Sequence, residues 1–105
     1  MDDVTPLLTA VDTFADRLRT LPQSRLSRGA AAEALALARE LAAWTQRIEE
    51  PQMSEVREMP DAGMFAVADQ VAVAGHDLAE ALCASGGDVA EAVRLVEAAA
   101  HRCGL

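Results

Sequence analysis

Four segments of the chain carry apolar stripes in which hydrophobic residues recur at alternating steps of three and four. Because an α-helix has about 3.6 residues per turn, this spacing puts the apolar side chains on one helical face. The stripes are Leu7, Val11, Phe14, Leu18 and Leu21; Leu37, Leu41, Trp44 and Ile48; Met64, Val67, Val71, Ala74 and Leu78; and Val89, Ala92, Val96, Ala99 and Cys103. The pattern predicts four amphipathic helices packed around a shared core.

Capping and helix-breaking residues set the expected bounds of these helices. Thr5 followed by Pro6 is typical of a helix start, and Asp88 followed by Glu91 resembles a capping box. The first helix is expected to stop before Pro22, the second to run from about Ser24 or Ser27 to Glu49, the third to begin after Pro60-Asp61, and the fourth to end at Gly104. Gly75, on the inward side of the third helix, is expected to let another helix approach closely.

The connections predict how the helices are arranged. Residues 22–27 and 85–87 form short connections, which favour antiparallel neighbours, whereas the connection over residues 50–60 is longer. A chain of 105 residues fits one domain. We therefore predict a single all-α domain over residues 1–105. Its expected architecture is an up-down-up-down antiparallel four-helix bundle with two long central helices and two shorter outer helices.

Charge and composition narrow the classes of partner. The net charge of -8 argues against nucleic-acid binding, which depends on cationic contacts. The chain has no apolar run of membrane-spanning length, and its first residues lack the basic region of a signal peptide. In an antiparallel final hairpin Cys83 and Cys103 are too far apart to be bridged, so we expect two free thiols and a cytoplasmic location.

Unequal helix lengths predict an exposed apolar surface beside the connection over residues 50–60. The two long helices should extend past the outer two there, and the surface would combine residues of both helices with two loop methionines: Trp44, Ile48, Met53, Met59, Met64 and Phe65. Either the loop folds over this surface, or a second copy or another protein covers it. Binding of a small apolar ligand is a further alternative.

Basic side chains cluster in one short part of the sequence. Arg17, Arg19, Arg25 and Arg28 lie there without an intervening acidic residue, and they should meet at one end of the bundle. Arg25 and Arg28 stand near a helix N-terminus, where a cation is unfavourable. The group is either a solvated face paired with nearby carboxylates or a patch for an acidic or phosphorylated partner.

No arrangement typical of catalysis, metal binding or cofactor binding occurs in the sequence. His76-Asp77-Leu78, followed by Leu82, resembles the phosphoacceptor segment of histidine-kinase dimerisation helices, although Ala79-Glu80-Ala81 replaces the basic and proline residues expected there. The sequence thus favours a small, non-enzymatic, cytoplasmic protein–protein interaction or regulatory module that binds a protein partner or self-associates as a homodimer. The alternatives are a bundle that binds a small apolar ligand and a histidine phosphotransfer protein.

Overall fold

The computed structural model describes residues 3–52 and 54–105. Its main helices are α1 (Thr5–Thr20), α2 (Ala31–Glu49), α3 (Val67–Ser85) and α4 (Val89–Arg102). A short α-helical turn, Gln23–Arg25, and a π-helical stretch, Leu26–Ala30, precede α2. The predicted all-α four-helix bundle is confirmed. The two middle helices, of 19 residues each, are also longer than the outer ones, of 16 and 14 residues.

Side-chain caps explain where α1 and α4 begin. Val4 rather than Thr5 is the N-cap residue of α1, and the Asp3 carboxylate before it accepts a hydrogen bond from the backbone N–H of Thr5 at 2.9 Å. The Asp88 carboxylate accepts from the N–H of Glu91 at 3.0 Å, which confirms the predicted cap of α4. These bonds satisfy N–H groups that have no carbonyl partner within the first turn.

A backbone kink separates the short turn after Pro22 from α2. Gly29 has φ +143° inside the π-helical stretch, a conformation that L side chains rarely adopt. The second helix therefore does not run unbroken from Ser24 or Ser27, and its regular part begins at Ala31. Its end at Glu49 agrees with the prediction.

The connection over residues 50–66 runs back along α2 instead of closing the end of the bundle. The Gln46 amide donates to the Arg57 carbonyl and accepts from the Arg57 N–H, both at 2.9 Å. Closer to the start of α2, Nε of Arg39 donates to the Met59 carbonyl at 2.8 Å. A fully extended chain advances about 3.3 Å per residue, so this segment easily spans α2, which is about 28 Å long.

This return path makes α2 and α3 parallel, which corrects the predicted up-down-up-down alternation to up-down-down-up. Met64 and Val67 line a cavity with Leu35 near the start of α2. Ile48, at the other end of α2, lies beside Ser85 at the end of α3. The third helix also begins at Val67 rather than directly after Pro60-Asp61, because Asp61 and Gly63 form a turn.

Each helix packs mainly against two others, in the cyclic order α1, α3, α2, α4. Arg19 pairs with Asp69 at the start of α3, and Arg25 donates to the carbonyl of Cys103 after α4. The ends of α1 and α4 thus lie at the end of the bundle where α2 and α3 begin. Consequently α1 and α4 are parallel neighbours, and the two short connections lie at opposite ends of the bundle.

Gly75 allows α1 and α3 to approach closely, as the sequence predicts. A Cβ at this position would lie 2.5 Å from both γ-methyl carbons of Val11, closer than two carbon atoms can approach. Val11 is fully buried, so it has little room to move. The contact fixes the spacing of the two helices in the middle of the core.

We expect Gly75→Ala to lower the free energy of unfolding by about 1 kcal/mol. Overpacking costs about 1–3 kcal/mol, which exceeds the gain of about 1 kcal/mol in helix propensity. Val11→Ala should destabilise by cavity formation, but the double variant should lose less than the two single effects added together. Urea unfolding measures all four proteins, and additive effects would contradict a direct contact.

We expect Arg39→Met to loosen the returning segment. Arg39 holds this segment through the Met59 carbonyl and through the Glu58 carboxylate at 3.1 Å. Trypsin cleavage after Arg57 should become several-fold faster, because opening of the segment exposes that bond. Arg47→Met is the control, since Arg47 is exposed on the same helix and has no hydrogen bond or ion pair among the described residues. Equal rates in both variants would contradict this role of Arg39.

Candidate functional site

The structure does not bring the predicted apolar partner-binding residues together. Trp44 and Ile48 lie in the last turns of α2, whereas Met64 lies near the start of α2. Met59 lies beside the middle of α2, where its carbonyl accepts a hydrogen bond from Arg39. The parallel arrangement of α2 and α3 is the reason, since it carries the start of α3 away from Trp44. The single notch expected beside the loop is therefore absent from the described part of the chain.

Most of these side chains cover the core of their own chain. Trp44, Ile48, Met59 and Met64 are half-buried and pack against the buried cluster. Phe65 differs, because 77% of its surface is exposed just before α3. Met53 lies outside the described residues. The partner-binding role of this set stays a prediction.

The four arginines do lie around one end of the bundle, but two of them are engaged. Arg19 bridges Asp16 and Asp69 at 3.0 and 2.7 Å, and Arg25 donates to the Cys103 carbonyl at 3.1 Å. Hydrogen bonds from Arg19 to Asp69 raise the pKa of this guanidinium further above its usual value. The side chains of Arg17 and Arg28 make no hydrogen bond or ion pair within residues 3–52 and 54–105. They are the two arginines available to an acidic group.

His76 lies on the exposed side of α3 and faces α1. Its Nε2 is 2.7 Å from a carboxylate oxygen of Asp12, and about half of each side chain is exposed. Asp69 and Glu80, on the same helix, form no hydrogen bond or ion pair with it. Among the described residues no group of three or more histidine, cysteine or acidic side chains is arranged to hold a metal ion. Phosphotransfer through His76 stays a prediction.

The two cysteines differ in their surroundings. Cys83 is exposed near the end of α3, whereas Cys103 is buried at the opposite end, with its Sγ 3.5 Å from the Ala30 carbonyl; both are free thiols. Burial raises the pKa of Cys103 above its ordinary value, and the nearby Glu33 carboxylate adds to this effect. Cys103 is therefore a neutral core residue at physiological pH.

We expect the stability of the protein to fall as the pH rises above about 9. In the unfolded chain the thiol of Cys103 ionises near its ordinary pKa of 9.0, whereas burial makes it ionise at a higher pH in the folded protein, so high pH favours unfolding. The chain contains neither lysine nor tyrosine, whose side chains would also titrate in this range. The decline is at most about 1.4 kcal/mol per pH unit for one thiol. Urea unfolding from pH 8 to about pH 11 measures it.

Two alanine variants identify the thiol responsible. Cys103→Ala should remove most of this pH dependence, whatever its effect on absolute stability. Cys83→Ala should keep it, because Cys83 is exposed. An unchanged slope in Cys103→Ala would contradict the assignment to the buried thiol.

A groove of about 640 Å³ lies between α1 and α4. We call it the α1–α4 groove. Its apolar floor is formed by side chains of both helices: Pro6, Ala10, Phe14, Val93, Val96 and Ala100. The alanines are small, so the two parallel helices leave a furrow above the buried Phe14 and Val96. Leu105 lies at one end of it.

Threonines line one edge of this groove. Thr5, Thr9 and Thr13 follow at four-residue intervals on α1, which contains four of the five threonines in the chain. Thr20 and Thr45 donate their hydroxyls to backbone carbonyls, but those of Thr9 and Thr13 make no hydrogen bond within the described residues. Threonine is a weaker helix former than the alanine, leucine and arginine on the other faces of α1. The edge is thus polar and uncharged, and two of its hydroxyls are available to a partner.

Charged residues of the groove are few and are separated along its length. Asp3 lies at one end and Arg17 at the other, while Glu97 lies on α4 between these levels. Hydrogen bonds from Thr5 keep the pKa of Asp3 below its usual value, so this carboxylate is ionised at neutral pH. Arg17 and Glu97 are exposed, and neither has an ionic partner among the described residues.

The sequence contained a signal for this groove in the spacing of Thr5, Thr9 and Thr13. The predicted alternating bundle would set α1 and α4 antiparallel. In the structure the return of residues 50–66 makes the two helices parallel, and these threonines line the groove between them.

Comparison of the chain with protein-family models, with curated proteins and with solved structures found no match. Within residues 3–52 and 54–105, no helix has both the length and the apolar character needed to cross a membrane.

Proposed function

We propose that this chain is a non-enzymatic helical interaction module that binds a helical protein surface in the α1–α4 groove. The observation that carries the proposal is the character of this groove: an apolar floor, a charge-free threonine edge and charges confined to separate positions. The buried centres of protein interfaces are likewise depleted of charged residues. Small floor residues such as Ala10 and Ala100 allow a partner helix to approach the backbone.

Several hydrogen-bonding side chains of the groove have no partner within the described residues and could bind groups of a partner protein. The hydroxyls of Thr9 and Thr13 and the side chains of Arg17 and Glu97 are without partners in the described part of the chain. They surround apolar surface that a second helix would remove from water, at a gain of about 25 cal/mol per Å². Helices with apolar anchors bind in such grooves between other helices. With two free thiols, the proposal places the module in the cytoplasm, a reducing compartment.

The volume of the groove favours a small apolar ligand as a second candidate. Ligand pockets commonly enclose about 300–1,000 Å³, and the groove falls within this range. Its lining, however, comes from only α1, α4 and the residues flanking them, so it is open along its length. A small ligand would keep much of its own surface in water there. A helix, which buries only one face, fits an open furrow better.

We expect Ala10→Arg to release the protein from its complexes. The native size of the tagged protein in lysate, measured by size-exclusion chromatography, should exceed that of a monomer and should fall to monomer size in this variant. The new guanidinium would place a charge on the apolar floor of the groove, which disfavours a bound helix. Because the groove is open to solvent, the longer side chain can extend into water without disturbing the fold of α1. Thr9→Arg, at an exposed position of the same groove, should act in the same way.

Ala98→Arg provides the matched control. Ala98 is an exposed alanine of α4 that does not line the groove, so the substitution adds the same charge elsewhere. It should leave the native size unchanged. The proposed function is contradicted if the unmodified protein already behaves as a monomer in lysate, or if Ala98→Arg and Ala10→Arg have equal effects.

A further inference from the structure

We propose that the occupant of the α1–α4 groove is a second copy of this chain, packed antiparallel to the first about a two-fold axis. This inference rests on the proposed interaction function and specifies its partner. A two-fold interface requires a surface that is complementary to itself, because the same residues contribute from both copies. Three features of the groove meet this requirement: the order of its charges, the chemistry of its polar edge and the size of its central residues.

The charges are ordered so that an antiparallel copy neutralises them. Because α1 and α4 are parallel, Arg17 lies near the end of the bundle where both helices stop. The Asp12–His76 contact and the tight turn after α3 place Glu97 about one helical turn farther from that end. An axis crossing the groove between these two levels brings Arg17 of each copy to Glu97 of the other. Two equivalent ion pairs then form from four side chains that have no partner in one chain.

A parallel copy does not achieve this. With the helices of both copies running in the same direction, Arg17 of one copy stays at the level of Arg17 of the other, and the two acidic positions also coincide in level. Like charges opposed in this way are unfavourable. The charge order therefore selects the antiparallel arrangement.

The polar edge suits a homotypic contact because a hydroxyl both donates and accepts hydrogen bonds. Thr13 lies next to the proposed axis, so its hydroxyl meets the Thr13 hydroxyl of the second copy. One hydroxyl can donate a hydrogen bond that the other accepts. A carboxylate or a guanidinium at this position would face an identical charge from the second copy, which is unfavourable. The absence of charge along the edge formed by Thr5, Thr9 and Thr13 is what a two-fold contact requires.

Small residues lie where the two copies approach most closely. Ala100 lies on the floor near the proposed axis, next to the buried side chain of Phe14. Its small methyl group leaves space for α1 of the second copy to enter the α1–α4 groove of the first copy. In the same way, α1 of the first copy enters the α1–α4 groove of the second copy. Both apolar floors are covered in one contact.

Sedimentation of the purified chain at several concentrations, with charge-exchange variants, tests this proposal. The unmodified protein should form a dimer. Arg17→Glu and Glu97→Arg should each raise the dimer dissociation constant about tenfold or more, because each places like charges at both pairs. The double variant Arg17→Glu/Glu97→Arg should restore dimerisation to within a few-fold. High salt should reduce these differences, since it screens exposed charges.

Arg28→Glu is the control for the change in net charge. Arg28 is also exposed and unpaired among the described residues, but it does not line the groove. It should leave the dissociation constant within about twofold of the original. Circular dichroism of each variant confirms that the bundle is folded.

Several outcomes would overturn the second copy as occupant. These are a purified chain that stays monomeric at all concentrations, a double variant as weak as the single ones, or an equal loss in Arg28→Glu. If the purified chain is monomeric but Ala10→Arg still reduces the native size in lysate, the interaction function holds and the groove binds another protein. If Ala10→Arg has no effect in lysate either, both proposals fail.

Discussion

The arrangement of this bundle depends on the attachment of residues 50–66 to the side of α2. Two side chains of α2 hold the segment through its backbone: Gln46 by a reciprocal pair of hydrogen bonds to Arg57, and Arg39 by the Met59 carbonyl. The segment therefore delivers α3 to the end of the bundle at which α2 started. From this follow the parallel α2–α3 pair, the separation of the two short connections, and the contact of α1 with α4 in parallel rather than antiparallel orientation.

The groove is a consequence of that contact. Neighbours joined by a short turn usually lie antiparallel, but α1 and α4 are distant in sequence and run in the same direction. Their facing residues are mostly alanine, threonine and valine, which pack closely at the core and leave a furrow outside. The charge order along the furrow arises because both helices end together, with Arg17 near the shared end and Glu97 above it. Local composition and global topology thus define the proposed interface jointly.

Much of the fold was predictable from the sequence, because helical periodicity and caps act locally. The bounds of α1, the end of α2 and the Asp88 cap of α4 follow from Pro22, Pro51 and the spacing of Asp88 to Glu91. The close approach at Gly75 was also predictable from its inward position. The direction of α3 was not, since it depends on hydrogen bonds from Gln46 and Arg39 to backbone groups that the sequence does not specify. For this reason the residues of the predicted apolar site are not brought together, as Trp44 and Met64 lie at different ends of α2.

The cyclic order of the helices has a consequence for synthesis on the ribosome. α1 packs mainly against α3 and α4 rather than against α2, which follows it in the sequence. While only α1 and α2 have emerged, Leu7, Val11 and Phe14 lack the helices that cover them in the folded protein. The apolar face of α1 therefore stays exposed on the nascent chain until α3 and α4 have been synthesised. Such contacts between distant parts of a sequence slow folding and prolong the period in which chaperones engage the chain.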